Sequence, residues 1–170
     1  MKKELWNAYT ADGVLTETVL VRGENIPSGL YHVVCEVLVR HTDGSYLCMK
    51  RALTKPADAY PGYYEATAGG SALLGETKED CIKRELKEET GIDCNDFILL
   101  SRTVIKDTIY FTYMCVTDCA KNSVTLQDGE TEDFVWLNEN EFISFVNSDR
   151  IIPIQKERYK EYFLRMGYIR

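Results

Sequence analysis

A chain of 170 residues is long enough for one domain with a sizeable core, and its 45% hydrophobic content is ordinary for a globular protein. The formal net charge of −7 excludes the basic surface that non-specific binding to long nucleic acid requires, but a small phosphorylated partner stays compatible if bound cations reverse the local sign. No apolar run approaches the length of a membrane span, and the start Met1-Lys2-Lys3-Glu4-Leu5-Trp6 lacks a signal-peptide stretch, so a cytoplasmic protein without membrane contact is expected.

Leu5–Tyr9 and Leu15–Val21 read as two short strands across Thr10-Ala11-Asp12-Gly13, because Asp-Gly between apolar runs signals a hairpin. Residues 1–29 therefore form an amino-terminal hairpin extension, closed by the Gly- and Pro-containing loop from Arg22 to Gly29, and residues 30–170 form the main domain. Tyr31–Arg40 is almost continuously apolar and β-branched, the pattern of a central strand buried on both faces. His32 at its start has two readings, a substrate contact or a satisfied structural histidine. Thr42-Asp43-Gly44 turns the chain into a strand from Ser45 to Arg51. Lys50 and Arg51 at its end have the chemistry for phosphate recognition, arginine most of all through its planar fork, and the plainer reading is surface charge. Residues 52–62 form a loop by their prolines and glycine, and Tyr63–Thr67 reads as a short strand leading into Gly69-Gly70.

The stretch from Gly70 to Ile92 concentrates acidic groups on a helix whose ends are both marked. Thr77 with Asp80 has the form of a capping box, Gly91 suits the left-handed position that stops a helix, and Cys81, Ile82 and Leu86 supply apolar contacts, so the helix runs from about Lys78 to Thr90. Glu85, Glu88 and Glu89 then project from one side, since positions three and four apart are neighbours on a helix surface. Three adjacent carboxylates repel one another, and a cation explains their placement; the all-oxygen chemistry points to Mg²⁺ or Mn²⁺ rather than zinc. A solvated acidic face explains the glutamates but leaves the spacing of Gly70 and Glu76 to chance.

With those residues in view, the segment resembles the Nudix box, G-x5-E-x7-R-E-U-x-E-E-x-G-U with U aliphatic, and matches it at Gly70, Glu76, Arg84, Glu85, Leu86, Glu88, Glu89, Gly91 and Ile92. A chance match at the seven invariant positions is on the order of one in a million. The resemblance implies hydrolysis of a nucleoside diphosphate linked to another moiety X, by water attack on phosphorus. It implies that Glu85, Glu88 and Glu89 ligate the metal, with Glu85 or Glu89 as base as well, and that a carbonyl at Gly69 faces the metal. Arg84 and Glu76 are expected to orient the ligands by ion pairing, and Arg51 to approach substrate phosphates. A further acidic residue from a late loop often completes such a site; Glu130 is the first choice and Glu132 the second.

Beyond the box, Phe97–Ile105 and Thr108–Val116 read as an antiparallel hairpin, Asn122–Gln127 as loop or edge strand, and Asp133–Leu137 as another strand. A short helix begins at Asn138-Glu139-Asn140-Glu141, and Ile154–Met166 reads as one last amphipathic helix. This order fits the α/β (α+β) class, an α/β/α sandwich around a mixed sheet, which is also the fold that the resemblance implies. The six cysteines, without a Cys-x-x-Cys pair, are expected to be free thiols in a reducing compartment.

Two alternatives stay open. Lys50-Arg51-Ala52-Leu53-Thr54-Lys55 with Pro61-Gly62-Tyr63-Tyr64 also looks like isopentenyl-diphosphate isomerase, but the isomerase cysteine is missing from Thr67-Ala68-Gly69-Gly70, and no cysteine lies between Cys48 and Cys81. A non-catalytic nucleotide sensor is the other, although such modules usually carry eroded boxes. Tyr110, about eighteen residues after the box, accompanies dinucleoside polyphosphate preference in some relatives and is otherwise a packing residue. A homodimer through the amino-terminal hairpin is a further expectation, with Trp6 and Tyr9 packing on the core or on a second subunit.

Overall fold

The computed structural model describes residues 3–170. Its first two strands, β1 (Leu5–Tyr9) and β2 (Leu15–Val21), pair antiparallel in a small sheet of their own. Gly13 sits at φ +83° in the turn, the left-handed conformation that glycine adopts without strain. Trp6, Ala8 and Leu20 bury one face of this hairpin against Ile26, Leu30 and Leu73 of the same chain. Two backbone hydrogen bonds between Tyr9 and Tyr31, and one from Leu74 N–H to Leu5 C=O, fasten it to the main sheet and to the loop before the box helix.

The main sheet is mixed, as expected. β3 (His32–His41) lies at its centre and runs parallel to β8 (Thr108–Thr117) over its whole length, and β8 pairs antiparallel with β7 (Ile98–Ile105). The opposite edge of β3 is shared. Near Arg40 it meets β4 (Tyr46–Arg51), whereas Val34–Val37 pair with β6 (Ala68–Ser71). From there β4 pairs with β5 (Tyr64–Glu65) and with β9 (Thr131–Leu137).

The expected single strand over Tyr63–Thr67 is therefore broken: β5 ends at Glu65, and the chain turns at Thr67 to pair with a different partner as β6. Thr67 is fully buried at φ +64°, a strained conformation for a β-branched residue. Its hydroxyl compensates by bridging the two strands where they part, accepting from Val39 N–H at 3.0 Å and donating to Leu47 C=O at 2.7 Å. Asn122–Gln127 is loop, with a 3-10 turn at Lys121–Ser123.

Helices cover both faces of the sheet. α1 (Lys78–Thr90) has the expected bounds, the reciprocal Thr77–Asp80 capping box, and Gly91 at φ +73° as its stop. It buries Cys81, Ile82 and Leu86 against Val33, Cys35, Val37, Val39, Leu47 and Met49; burying an aliphatic side chain of this size stabilises the fold by roughly 1.5–3 kcal/mol. On the other face lie α2 (Glu139–Val146), α3 (Pro153–Arg158) and α4 (Lys160–Met166); Phe142 and Phe145 of α2, Tyr159 at the α3–α4 junction, and Tyr162 and Phe163 of α4 pack over Leu38, Tyr46 and Cys48. The last helix, expected to be single, is interrupted at Tyr159 (ψ 2°), where the Arg158 carbonyl accepts instead from the Ser101 hydroxyl at 2.9 Å.

Candidate active site

The carboxylates of α1 open into a cleft of about 380 Å³ between β6, the C-terminal half of α1, the loop before β9 and the end of the amino-terminal hairpin. Its lining includes Gly69, Gly70, Arg84, Glu85, Glu88, Glu89 and Glu130, so seven of the residues singled out from the sequence meet in one place.

Arg84 organises this wall. Its Nε and Nη2 grip the two Glu76 oxygens at 2.6 and 3.0 Å, Nη1 donates to Glu85 at 2.7 Å and Glu88 at 3.2 Å, and Nη2 also donates to the Ser71 carbonyl at 3.2 Å. Every guanidinium N–H is thereby engaged. Glu76 also accepts from Leu73 N–H at 2.9 Å, and the Arg84 pairing holds its carboxyl below the usual range. Arg84 and Glu76 thus fix the loop before α1 to the helix that carries the glutamates.

The acids differ in surroundings. Burial raises the Glu85 carboxyl above its ordinary value, and the neighbouring Arg84 only partly offsets this. Glu88 has the most exposed side chain of the three. Glu89 is only 7% exposed, and its Oε2 is buried without any hydrogen-bond partner. Burial first, then the charges of Glu65, Glu85 and Glu130, push its carboxyl well above the usual range. A buried anionic oxygen without a donor is unfavourable alone and is the natural ligand of a cation.

The glycines fit closely. A Cβ on Gly69 would stand 2.6 Å from the Cys35 carbonyl and 2.9 Å from Glu36 Cα, and one on Gly70 would run into the Glu85 carboxylate. Among the described residues, no three carboxylate, thiolate or imidazole groups converge into a ready coordination cage. Arg84 pairs with Glu85 and Glu88, and Lys55 with Glu130. The donor set of carboxylates and carbonyls nevertheless suits a hard divalent ion, and the Glu89 oxygen without a hydrogen-bond donor fits that chemistry.

Of the two late acids, Glu130 lines the cleft and bonds Lys55 Nζ, whereas Glu132 is engaged away from it by Lys50 Nζ at 2.7 Å and Leu53 N–H at 3.1 Å. The two expected phosphate cations are both occupied. Lys50 holds Glu132, and Arg51 holds both Glu65 oxygens at 2.8 and 3.0 Å and the Ala59 carbonyl at 2.7 Å. Neither is part of the cleft lining. His32 is stacked on Trp6 with ring centroids 4.4 Å apart, and Tyr110 lies under the Arg158 guanidinium at 4.4 Å; both are outside the cleft lining.

Sequence reasoning missed four residues here. Lys55 and Glu65 flank Glu89 and Glu130 electrostatically, and Glu4 and Arg22 of the hairpin form part of the cleft wall. No local spacing marks them, because each arrives through tertiary pairing.

The NUDIX domain model matches residues 30–162. A Nudix hydrolase of Listeria monocytogenes is 32% identical over 156 residues, 88% of this chain and 89% of that one. A nucleoside triphosphatase of Escherichia fergusonii is 28% identical over 131 residues (66% and 85%), and an isopentenyl-diphosphate Delta-isomerase of Escherichia coli 27% over 135 residues (74% and 72%). In fold, the chain resembles a Deinococcus radiodurans protein with a TM-score of 0.72 at 15% identity, covering 94% of this chain and 99% of that one, and a MutT protein of Methanosarcina mazei at 0.62 and 18%, covering 81% and 95%. The chain belongs to the Nudix family. Membership makes it a pyrophosphohydrolase by class.

Proposed function

We propose that this protein is a Mg²⁺- or Mn²⁺-dependent hydrolase of the diphosphate linkage in a nucleoside diphosphate derivative. The observation that carries the reading is the buried, unpartnered Glu89 Oε2 in a cleft lined by oxygen donors. Glu85, Glu88, Glu89 and Glu130 with the Gly69 carbonyl would hold the ion. When bound, it neutralises phosphate charge and makes water a better nucleophile at neutral pH. Arg84 keeps Glu85 and Glu88 in place, since a ligand without outer support loses geometry. The resemblance offers Glu85 or Glu89 as the base that takes the proton of the attacking water.

The similarity to a nucleoside triphosphatase supports a nucleotide substrate, and the net charge of −7 disfavours long nucleic acid. Six free thiols fit a reducing, cytoplasmic compartment, and no helix among the described residues is long and apolar enough to cross a membrane. The division into a hairpin extension (1–29) and a catalytic domain (30–170), with a homodimer through the exposed Val14, Leu15 and Val19, belongs to the same proposal. The similarity to an isomerase favours a second reading, conversion of isopentenyl diphosphate. Against it, Cys35 and Cys81 are fully buried behind the glycine strand, and Gly69 has no room for a side chain.

Product release should be measured with Mg²⁺ or Mn²⁺ across nucleoside di- and triphosphates, nucleotide sugars, ADP-ribose, dinucleoside polyphosphates and isopentenyl diphosphate. Metal-dependent cleavage that falls at least 100-fold in Glu88→Gln is expected. Nucleotide binding without turnover would leave a sensor, and isomerised isopentenyl diphosphate would establish the second reading.

A further inference from the structure

The cleft contains two cations from different parts of the chain, and they are not equally free. Arg84 uses every N–H on Glu76, Glu85, Glu88 and the Ser71 carbonyl, leaving no donor for a substrate. Arg22, at the end of β2, has one ion pair, Nη1 to Glu4 Oε2 at 2.8 Å, and a side chain 67% exposed. Its backbone is held: Arg22 N–H donates to Glu4 C=O at 2.9 Å, Trp6 Nε1 donates to the other Glu4 oxygen at 2.7 Å, and Leu74 N–H ties Leu5 to the loop before α1. The charge is therefore presented on a fixed base at the cleft edge, with most of its fork open to solvent. An arginine in that state suits a phosphate, which two N–H groups can grip together.

We propose that Arg22 binds a phosphate group of the substrate, released from Glu4 as the polyphosphate enters, so that the amino-terminal hairpin forms one wall of the substrate site. This rests on the reading under Proposed function and assigns the phosphate grip to a residue outside the family-matched region, which begins at residue 30. Glu4 acts as a placeholder: it competes with phosphate for the guanidinium and keeps it oriented when the site is empty.

The test compares the full-length wild type with Arg22→Ala, Arg22→Lys and Glu4→Gln. Binding of inorganic triphosphate with Ca²⁺ is followed by calorimetry, and steady-state kinetics use the best substrate with Mg²⁺. Arg22→Ala should weaken triphosphate binding and raise KM about tenfold with kcat within threefold, with partial recovery in Arg22→Lys. Glu4→Gln should tighten binding two- to fivefold, a gain that a merely structural role for the pair does not produce. Unchanged triphosphate affinity in Arg22→Ala, at a melting temperature equal to the wild type, would overturn the assignment while leaving Glu88-dependent hydrolysis intact. A wild type that binds no triphosphate would also overturn it. Absence of hydrolysis with an Arg22-dependent binding loss would instead contradict the hydrolase reading alone.

Discussion

Glu89 presents a buried carboxylate oxygen that no donor meets, and in the metal-free protein that oxygen opposes folding at neutral pH. The sign follows from proton linkage. A carboxyl whose pKa is higher in the fold than in the unfolded chain binds more protons when folded, so stability is highest below the unfolded value near 4.3 and declines as pH rises toward the folded value. Removing the charge should therefore help. Glu89→Gln is expected to raise the melting temperature of the metal-free protein at pH 7 by roughly 2–8 °C, equivalent to about 1–2 kcal/mol, and to change it little at pH 4. Saturating Mg²⁺ should stabilise the wild type by a comparable amount, reversibly with EDTA, and the variant much less. Scanning fluorimetry at the two pH values decides this; a stability gain as large at pH 4 as at pH 7 would exclude the carboxylate charge as its source.

At the scale of elements, the junction of β6 with α1 is where packing and chemistry meet. Gly70 pairs with Cys35 in the sheet, and its missing side chain leaves the space that the Glu85 carboxylate occupies. Gly70→Ala should displace the end of a flexible side chain rather than the backbone. Turnover is expected to fall tenfold or more with a melting temperature within about 3 °C of the wild type, because small misplacements of a catalytic group are costly in rate. Matched kinetics and melting curves check it, and a large loss of stability would place the strain in the backbone instead. The helix half of this junction was legible in the sequence because its signals are local: Thr77, Asp80 and Gly91 act on their own turns, and the glutamate spacing sets their common face. The strand half was not. The turn at Thr67 depends on β3 and β4 parting beneath it, which brings Val39 and Leu47 to one hydroxyl, and no pattern within Tyr63–Thr67 contains that information.

At the scale of the molecule, the cleft is assembled from parts far apart in sequence. Lys50 near the end of β4 pairs with Glu132 within β9, Lys55 in the loop after β4 pairs with Glu130 just before β9, and Arg51 is turned inward onto Glu65. The sequence marked Lys50 and Arg51 as cations but contained no sign of the acids that occupy them, since those partners are contributed by other strands. Conversely, the hairpin read as an appendage, yet Glu4 and Arg22 reach the carboxylate wall. A two-faced sandwich holds α1 rigidly on one side of the sheet, and the remaining elements bring acids and cations to its exposed edge. The central claim, that this assembly directs water to phosphorus in a metal-dependent reaction, is tested most directly by running the fastest substrate of the panel in ¹⁸O-labelled water and reading the products by phosphorus NMR. The account predicts one ¹⁸O in one phosphate product, seen with Mg²⁺ or Mn²⁺ and abolished by EDTA. Label recovered on a non-phosphorus product, or no turnover of any diphosphate with either metal, would contradict it.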